Sequence, residues 1–370
     1  MKAFIYLLSL VFVFLVPLHA APPESVENVY LLFAVDMGGG NYTIYSTNIH
    51  NPQIQVIINN IKYFYCSPVN KYLIFQKNNS NQLFFTTIIE AKPNTLQLSK
   101  PNTIKVDLNS KDAFFALSNS GKHLIWAKYV DNQTNLILFN IDSNQEEKLF
   151  SFKGYLHKIA WSPDNKSIAF YIKTSSLSLT ADDYALAFYQ LPDGKFHQFP
   201  VSSPTRPIPA RPIAPCWSND SRYILFEGSY EKPFAKKYHA ILVDTEIAKW
   251  YPAVSGFWLS SNNLMTVPPS SHKGLIFHEL SLKELKNQKF STPKKLFEIQ
   301  GVDGFMASYY DNIKNILYYQ SPMGILSYYD CDNKINVSII RAPYIINTRY
   351  LLPLYYGRNM TGLTKSNPMD

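Results

Sequence analysis

Ile159-Ala160-Trp161-Ser162-Pro163-Asp164-Asn165-Lys166-Ser167-Ile168-Ala169-Phe170 is the stretch that decides the fold. An apolar segment runs into an aromatic residue. Ser-Pro-Asp-Asn then makes a turn, because Pro presets φ and Asp or Asn hydrogen-bonds its own backbone. A second apolar segment leaves the turn. The same frame recurs as Ala214-Pro215-Cys216-Trp217-Ser218-Asn219-Asp220-Ser221-Arg222-Tyr223-Ile224-Leu225-Phe226, with further copies from Phe115 to Trp126 and from Tyr65 to Phe75. Fainter copies run from Phe257 to Met265 and from Ser308 to Tyr318. Anchored on the serine, the copies start about 42 to 56 residues apart, the period of repeated four-stranded units.

The rest of each unit follows from the copy that starts at Phe115. A third strand lies at Asn135 to Asn140, a polar turn at Asp142 to Gln145, and a short outer strand ends near Phe150. One such meander cannot cover both of its faces, whereas stacking the meanders around an axis does. The expected fold is therefore all-β, a β-propeller of antiparallel four-stranded meanders. Six copies carry the frame. The region from Val29 to Ile58 has three strands and lacks the first, which the C-terminal segment Tyr344 to Tyr356 would supply. That gives seven blades, closed by strands from both ends of the chain with no exposed edge. Six and eight are the alternative counts, because the frame fades in the last third.

Composition agrees. Residues from AVILMFWYC make up 46% of the chain, enough for a large core, and the 26 Tyr and 24 Phe favour strands. Disordered chains lack such aromatics. Residues 1–20 have the pattern of a cleavable signal peptide: Lys2, an apolar run from Ala3 to Val16, Pro17, and small residues permitting cleavage after Ala20 or Ala21. The run is short for a bilayer span, and no later stretch is apolar enough to make one. The expected organisation is a signal peptide (1–20), one propeller domain (21–356) and a flexible tail (357–370), in a periplasmic or secreted protein that does not span the membrane.

The net charge of +8 is spread, with short clusters only at Lys236-Lys237 and Lys294-Lys295. A nucleic-acid partner is not expected from such a pattern in an exported chain. Cys66, Cys216 and Cys331 are odd in number, so a fully paired framework within the chain is excluded. Cys66 and Cys216 fall at core positions of the repeat, and Cys331 lies in a turn.

Trp161-Ser162-Pro163-Asp164-Asn165-Lys166-Ser167-Ile168-Ala169-Phe170 resembles the repeat of TolB-type propellers, also called WD40-like repeats, and Trp217-Ser218-Asn219-Asp220 is a degenerate match. The resemblance covers most of the chain after the signal peptide, with one copy close to consensus. It implies the fold and a protein-binding role in the bacterial envelope. TolB-type proteins carry an α/β domain ahead of the propeller, and here strands begin by Val29. The same string occurs in propeller domains of prolyl-oligopeptidase-like enzymes, whose hydrolase domain has no counterpart in this sequence.

No catalytic, cofactor-binding or metal-ligating residue is assigned. Gly-x-Ser-x-Gly does not occur, and His278-Glu279 has no second His at zinc-peptidase spacing. Asp36-Met37-Gly38-Gly39-Gly40-Asn41 lacks the Lys and helix of a phosphate loop and is expected to be a hairpin turn. Asp164, Asp220 and Asp311 are expected to cap turns rather than bind calcium. The Pro-rich stretch Arg206 to Pro215 forces an extended connection between two units, and the Lys173 to Tyr184 loop is long for a hairpin. Glycosylation sequons at Asn41, Asn132 and Asn336 match what an Asn-rich chain gives by chance. The functional expectation is a non-catalytic protein-binding scaffold of a cell-envelope or secretion assembly. The alternative is a secreted enzyme or a carbohydrate-binding propeller with its site at one mouth of the central channel, taking a small-molecule or sugar ligand.

Overall fold

A computed structural model describes residues 28–356 except 68–70, 93–94, 105, 107–114, 132, 174–183, 192, 200–210, 213–214, 230–239, 254–255, 267–273, 288–293, 303–306 and 344–350. The signal peptide and the tail lie outside the described residues.

The chain begins with β1 (Val29–Asp36), β2 (Tyr42–Asn48) and β3 (Gln55–Ser67). β3 bends at Asn60, which has φ 57°. Its first part pairs with β2, and its last part pairs with β4 (Tyr72–Lys77), which is followed by β5 (Leu83–Lys92), β6 (Thr95–Leu98) and β7 (Asn102–Ile104). The third unit is β8 (Phe115–Leu117), β9 (His123–Val130), β10 (Gln133–Asn140) and β11 (Gln145–Lys153). The fourth is β12 (Tyr155–Trp161), β13 (Ser167–Lys173), β14 (Tyr184–Gln190) and β15 (Lys195–Phe199). The fifth has β16 (Arg211–Pro212) and β17 (Cys216–Trp217) as a broken inner strand, then β18 (Tyr223–Ser229), β19 (Ala240–Asp244) and β20 (Lys249–Ala253).

The sixth unit is β21 (Gly256–Ser260), β22 (Asn263–Thr266), β23 (Gly274–Ser281) and β24 (Lys294–Gln300), with helix α1 (Leu282–Asn287) between the last two. The seventh is β25 (Ala307–Asp311), β26 (Ile316–Gln320), β27 (Ile325–Asp330) and β28 (Ile335–Arg341). Finally β29 (Leu351–Tyr355) pairs with β1, Val29 opposite Tyr355 and Phe33 opposite Leu351. The first sheet thus holds eight strands, and divided at Asn60 it is two meanders. The missing first strand comes from the C-terminal segment, as the sequence required.

Seven apolar clusters join neighbouring units. Tyr318, Tyr328 and Leu326 of the last unit pack on Leu31, Phe33 and Leu351 of the first, which closes the ring. Between the third and fourth units, Leu136 and Phe152 meet Trp161, Ile168 and Phe170. The central strands are therefore apolar on both faces. β13 and β18 read as continuous apolar runs because each is covered by a neighbouring unit on either side.

The repeated tryptophan has a specific task. Trp161 Nε1 donates to Ala116 O (2.9 Å), Trp217 Nε1 to Ala160 O (3.1 Å), and Trp258 Nε1 to Cys216 O (3.2 Å). Each reaches the inner strand of the preceding unit, so an aromatic that fills the interface also ties its polar edge. The serine of the frame holds the turn. Ser162 Oγ accepts from Ser167 N (2.9 Å) and donates to Asp164 Oδ1 (2.6 Å), and Ser218 repeats both bonds with Tyr223 N (2.8 Å) and Asp220 Oδ1 (2.6 Å). The fourth turn residue is left-handed: Gly121 (φ 75°), Asn165 (φ 60°) and Ser221 (φ 62°). Gly and Asn adopt this region at least cost, which explains their place in the frame. Neighbouring turns also bond to one another, through Ser120 N to Asn165 Oδ1 (3.2 Å) and Asp164 N to Ser221 Oγ (3.0 Å).

Closure has a clasp that the sequence did not announce. β5 runs beyond its unit and returns as β6, and this hairpin lies over the first unit. Gln55 Nε2 donates to Leu96 O (2.6 Å) and Leu96 N to Gln55 Oε1 (3.2 Å). Just past β29, Tyr356 Oη donates to Ile88 O (2.7 Å), its ring lies 3.7 Å from Lys71 Nζ, and it meets Tyr30 edge-on at 5.6 Å. Burial raises the Tyr356 phenol above its ordinary range.

Among the described residues the three cysteines are free, and Cys66 is buried. No described helix is long and apolar enough to cross a membrane.

Candidate functional site at one mouth of the ring

Strand direction gives the ring two different ends. Every inner strand runs towards the serine turns, so those turns and the turns after the third strands share one end. The connections between second and third strands, and between units, share the other. The long segments singled out in the sequence, Lys173 to Tyr184 and Arg206 to Pro215, both belong to this connection end. Residues 174–183 and 200–210 lie outside the described residues, and Arg211–Pro212 pairs with Ser229 and Gly228 as an extended strand.

Carboxylates concentrate at the turn end, because Asp is what those turns use as a cap. Asp164, Asp220, Asp311 and Asp330 all accept backbone N–H groups there. This bears out turn capping for the three residues weighed against calcium. Asp244, fully buried, accepts from Arg222 Nη2 (3.1 Å) and Lys286 Nζ (2.9 Å). Burial works against its charge, and the hydrogen bonds from Arg222 and Lys286 outweigh burial, holding the carboxyl below its ordinary value. This network fixes α1 against the fifth unit. Among the described residues no three His, Cys, Asp or Glu side chains gather closely enough to hold a metal ion.

The connection end is built differently. β11 passes into β12 through Gly154 alone, at φ 100°, and Thr134 Oγ1 donates to its carbonyl. Next to that corner the rings of Tyr129 and Tyr155 stack at 4.2 Å. β12 then bulges between His157 and Ile159, with Lys158 the extra residue at φ 48°. A bulge re-aims side chains at a sheet edge. Here the edge is that of an inner strand, so His157 and Lys158 sit at the mouth of the ring with Lys173, which pairs across from Tyr155. Lys62, its ammonium 5.1 Å from the ring of Tyr63, starts the inner strand of the second unit at the same end. The described carboxylates in the turns of this end are Asp36, capping Gly38 N (2.7 Å), and Asp131. The Asp36 to Asn41 segment is the hairpin turn expected, with Gly38, Gly39 and Gly40 all at positive φ.

Farther in, Tyr309 on the inner strand of the seventh unit is raised by burial and then by the charges of Asp311 and Cys216. Cys216 belongs to the fifth unit, so side chains from non-adjacent inner strands approach each other across the axis.

Two outcomes test this mouth. Gly154→Ala sets a Cβ 2.6 Å from Lys173 O at a φ that L-residues avoid. It should cost about 1–3 kcal/mol in denaturant unfolding. An unchanged midpoint would mean that the corner is not built this way. Burial, and then Lys158 and Lys173, push His157 down to about 3 from 6.5. Between those values the unfolded chain binds the extra proton. The stability tied to neutral His157 is therefore complete above about pH 6.5 and drains away as pH falls towards 3. The ring is partly exposed, so the loss by pH 4.5 should be about 2 kcal/mol. His157→Gln should flatten the stability profile over that window, and superimposable profiles would contradict the assignment.

A closed ring of four-stranded meanders with its inner strands around an axis is a β-propeller. The expectation of TolB-type repeats holds at the level of fold. No family model matches the chain, and no curated protein sequence matches it. Solved structures share the fold. Oligogalacturonate lyase in complex with manganese is 11% identical over 85% of this chain and 86% of its own, with a TM-score of 0.52. A candidate 6-phosphogluconolactonase from Bacteroides fragilis is 11% identical over 90% of this chain and 100% of its own, with a TM-score of 0.51. TolB from Acinetobacter baumannii is 11% identical over 70% of this chain, with a TM-score of 0.41, and this chain spans 62% of its length. Likeness at such identity concerns the fold alone.

Proposed function

We propose that the protein is an exported, non-catalytic scaffold of the bacterial cell envelope that holds a protein partner at the connection end of its ring. One observation carries the reading: the closed ring sends all its connections between second and third strands, and all its connections between units, to one end. The serine turns at the other end are tied to one another through Ser120, Asn165, Asp164 and Ser221. A rigid scaffold presenting variable loops on one face suits recognition. The signal-peptide pattern at residues 1–20 supports the compartment. The enzyme or sugar-binding alternative calls for converging carboxylates at a mouth. The described turns and inner strands of this mouth offer chiefly Lys and Tyr.

The test is lysine-directed crosslinking of the native protein in its own cells, followed by capture and mass spectrometry. A reproducible envelope protein joined through lysines of the connection end is the expected result. Recovery of this chain alone would overturn the reading and move weight to a small-molecule or sugar ligand.

A further inference from the structure

The sequence shows a modest, scattered excess of cations, and the fold sorts it. Turn chemistry draws Asp to one end, and what remains at the inner strands of the other end is basic. Lys158 and Lys173 come from adjacent strands, and both act electrostatically on His157, so three basic side chains share one place. Lys62 begins the inner strand of another unit at the same mouth. Like charges brought together this way repel, and an anion entering between them relieves the repulsion.

The aromatic groups nearby narrow the choice of anion. Tyr129 and Tyr155 are stacked on each other at 4.2 Å, and Tyr63 already carries the Lys62 ammonium. Stacked in this way, the first two rings spend a face each on the other. An open aromatic platform for a sugar ring is not what they form. Their hydroxyls and edges suit a polypeptide instead. We propose that this mouth takes up an acidic peptide segment, its carboxylates meeting Lys62, Lys158 and Lys173. The proposal rests on the protein-binding reading above and specifies the chemistry of the partner.

The probe is a fluorescein-labelled ten-residue peptide alternating Glu and Asp with Gly, compared by anisotropy with the same peptide carrying Gln and Asn. The intact ring should bind the acidic peptide at least tenfold tighter than the amide version. It should lose about tenfold between low and moderately high salt, because exposed charges are screened. Lys158→Glu with Lys173→Glu should weaken binding at least tenfold, and Lys158→Gln with Lys173→Gln by less. Lys166→Glu, at the turn end, should leave it unchanged. Melting curves establish that each variant is folded. Equal binding of the two peptides, an unaffected double variant, or displacement of the peptide by polygalacturonate at lower concentration would each overturn the proposal. If the peptides fail while crosslinking still traps an envelope protein at this mouth, the protein-binding reading stands and only the charge argument falls. If both fail, both fall.

Discussion

Truncation after Pro343 should abolish the cooperative thermal transition or lower it by more than about 15 °C. Leu351 and Leu354 are fully buried, and burying each contributes on the order of 2–5 kcal/mol as judged by truncation to Ala. β1 would also lose its ladder from Val29 to Phe33 and become an open edge. Together these losses rival the whole stability of a typical domain, about 5–15 kcal/mol. Leu354→Asp isolates the packing term and should approach the effect of the truncation. Tyr356→Phe removes only the hydroxyl bonded to Ile88 O and should cost about 1 kcal/mol. A truncated protein that melts where the full chain does would refute closure by β29.

Trp161→Ala should cost about 3–5 kcal/mol, since the side chain is buried at the interface of the third and fourth units. Trp161→Phe separates two roles. It keeps most of the packing and leaves Ala116 O without its donor, for about 1–2 kcal/mol. Trp217→Phe, which strands Ala160 O in the same way, should lose a similar amount. Urea unfolding of the three variants measures this. A harmless Trp161→Phe alongside a costly Trp217→Phe would mean that the bracket is not a property of the repeat.

Much of this architecture was legible because local chemistry and fold agree. The serine frame gives a turn whose fourth residue must be left-handed, and Gly121 and Asn165 stand there. Counting strands in Val29 to Ile58 exposed a deficit that Tyr344 to Tyr356 could fill, and β29 fills it. Helix α1 escaped notice, although Ser281-Leu282-Lys283-Glu284 has capping-box spacing. Ser281 Oγ accepts from Glu284 N at 3.2 Å. The β5–β6 hairpin escaped because Ile88 to Lys92 continues a strand pattern with no break. Only the tertiary bonds of Leu96 and Ile88 show where it turns.

The mouth was not legible at all. Sequence clustering pointed to Lys294 and Lys295, which the structure pairs with Glu279 and Glu298. Lys236 and Lys237 lie outside the described residues. Lys62, Lys158 and Lys173 come from two units, and the order of the chain hides their common end. Strand direction alone assembles them.

The most direct test of the functional account is site-specific photocrosslinking in the native cells, with a photoreactive amino acid placed at position 62 or at position 166. Lys62 lies at the connection end and Lys166 at the turn end. The account predicts a discrete envelope protein trapped from position 62 and none from position 166. Trapping from position 166 alone would put the partner on the wrong end of the ring and contradict it.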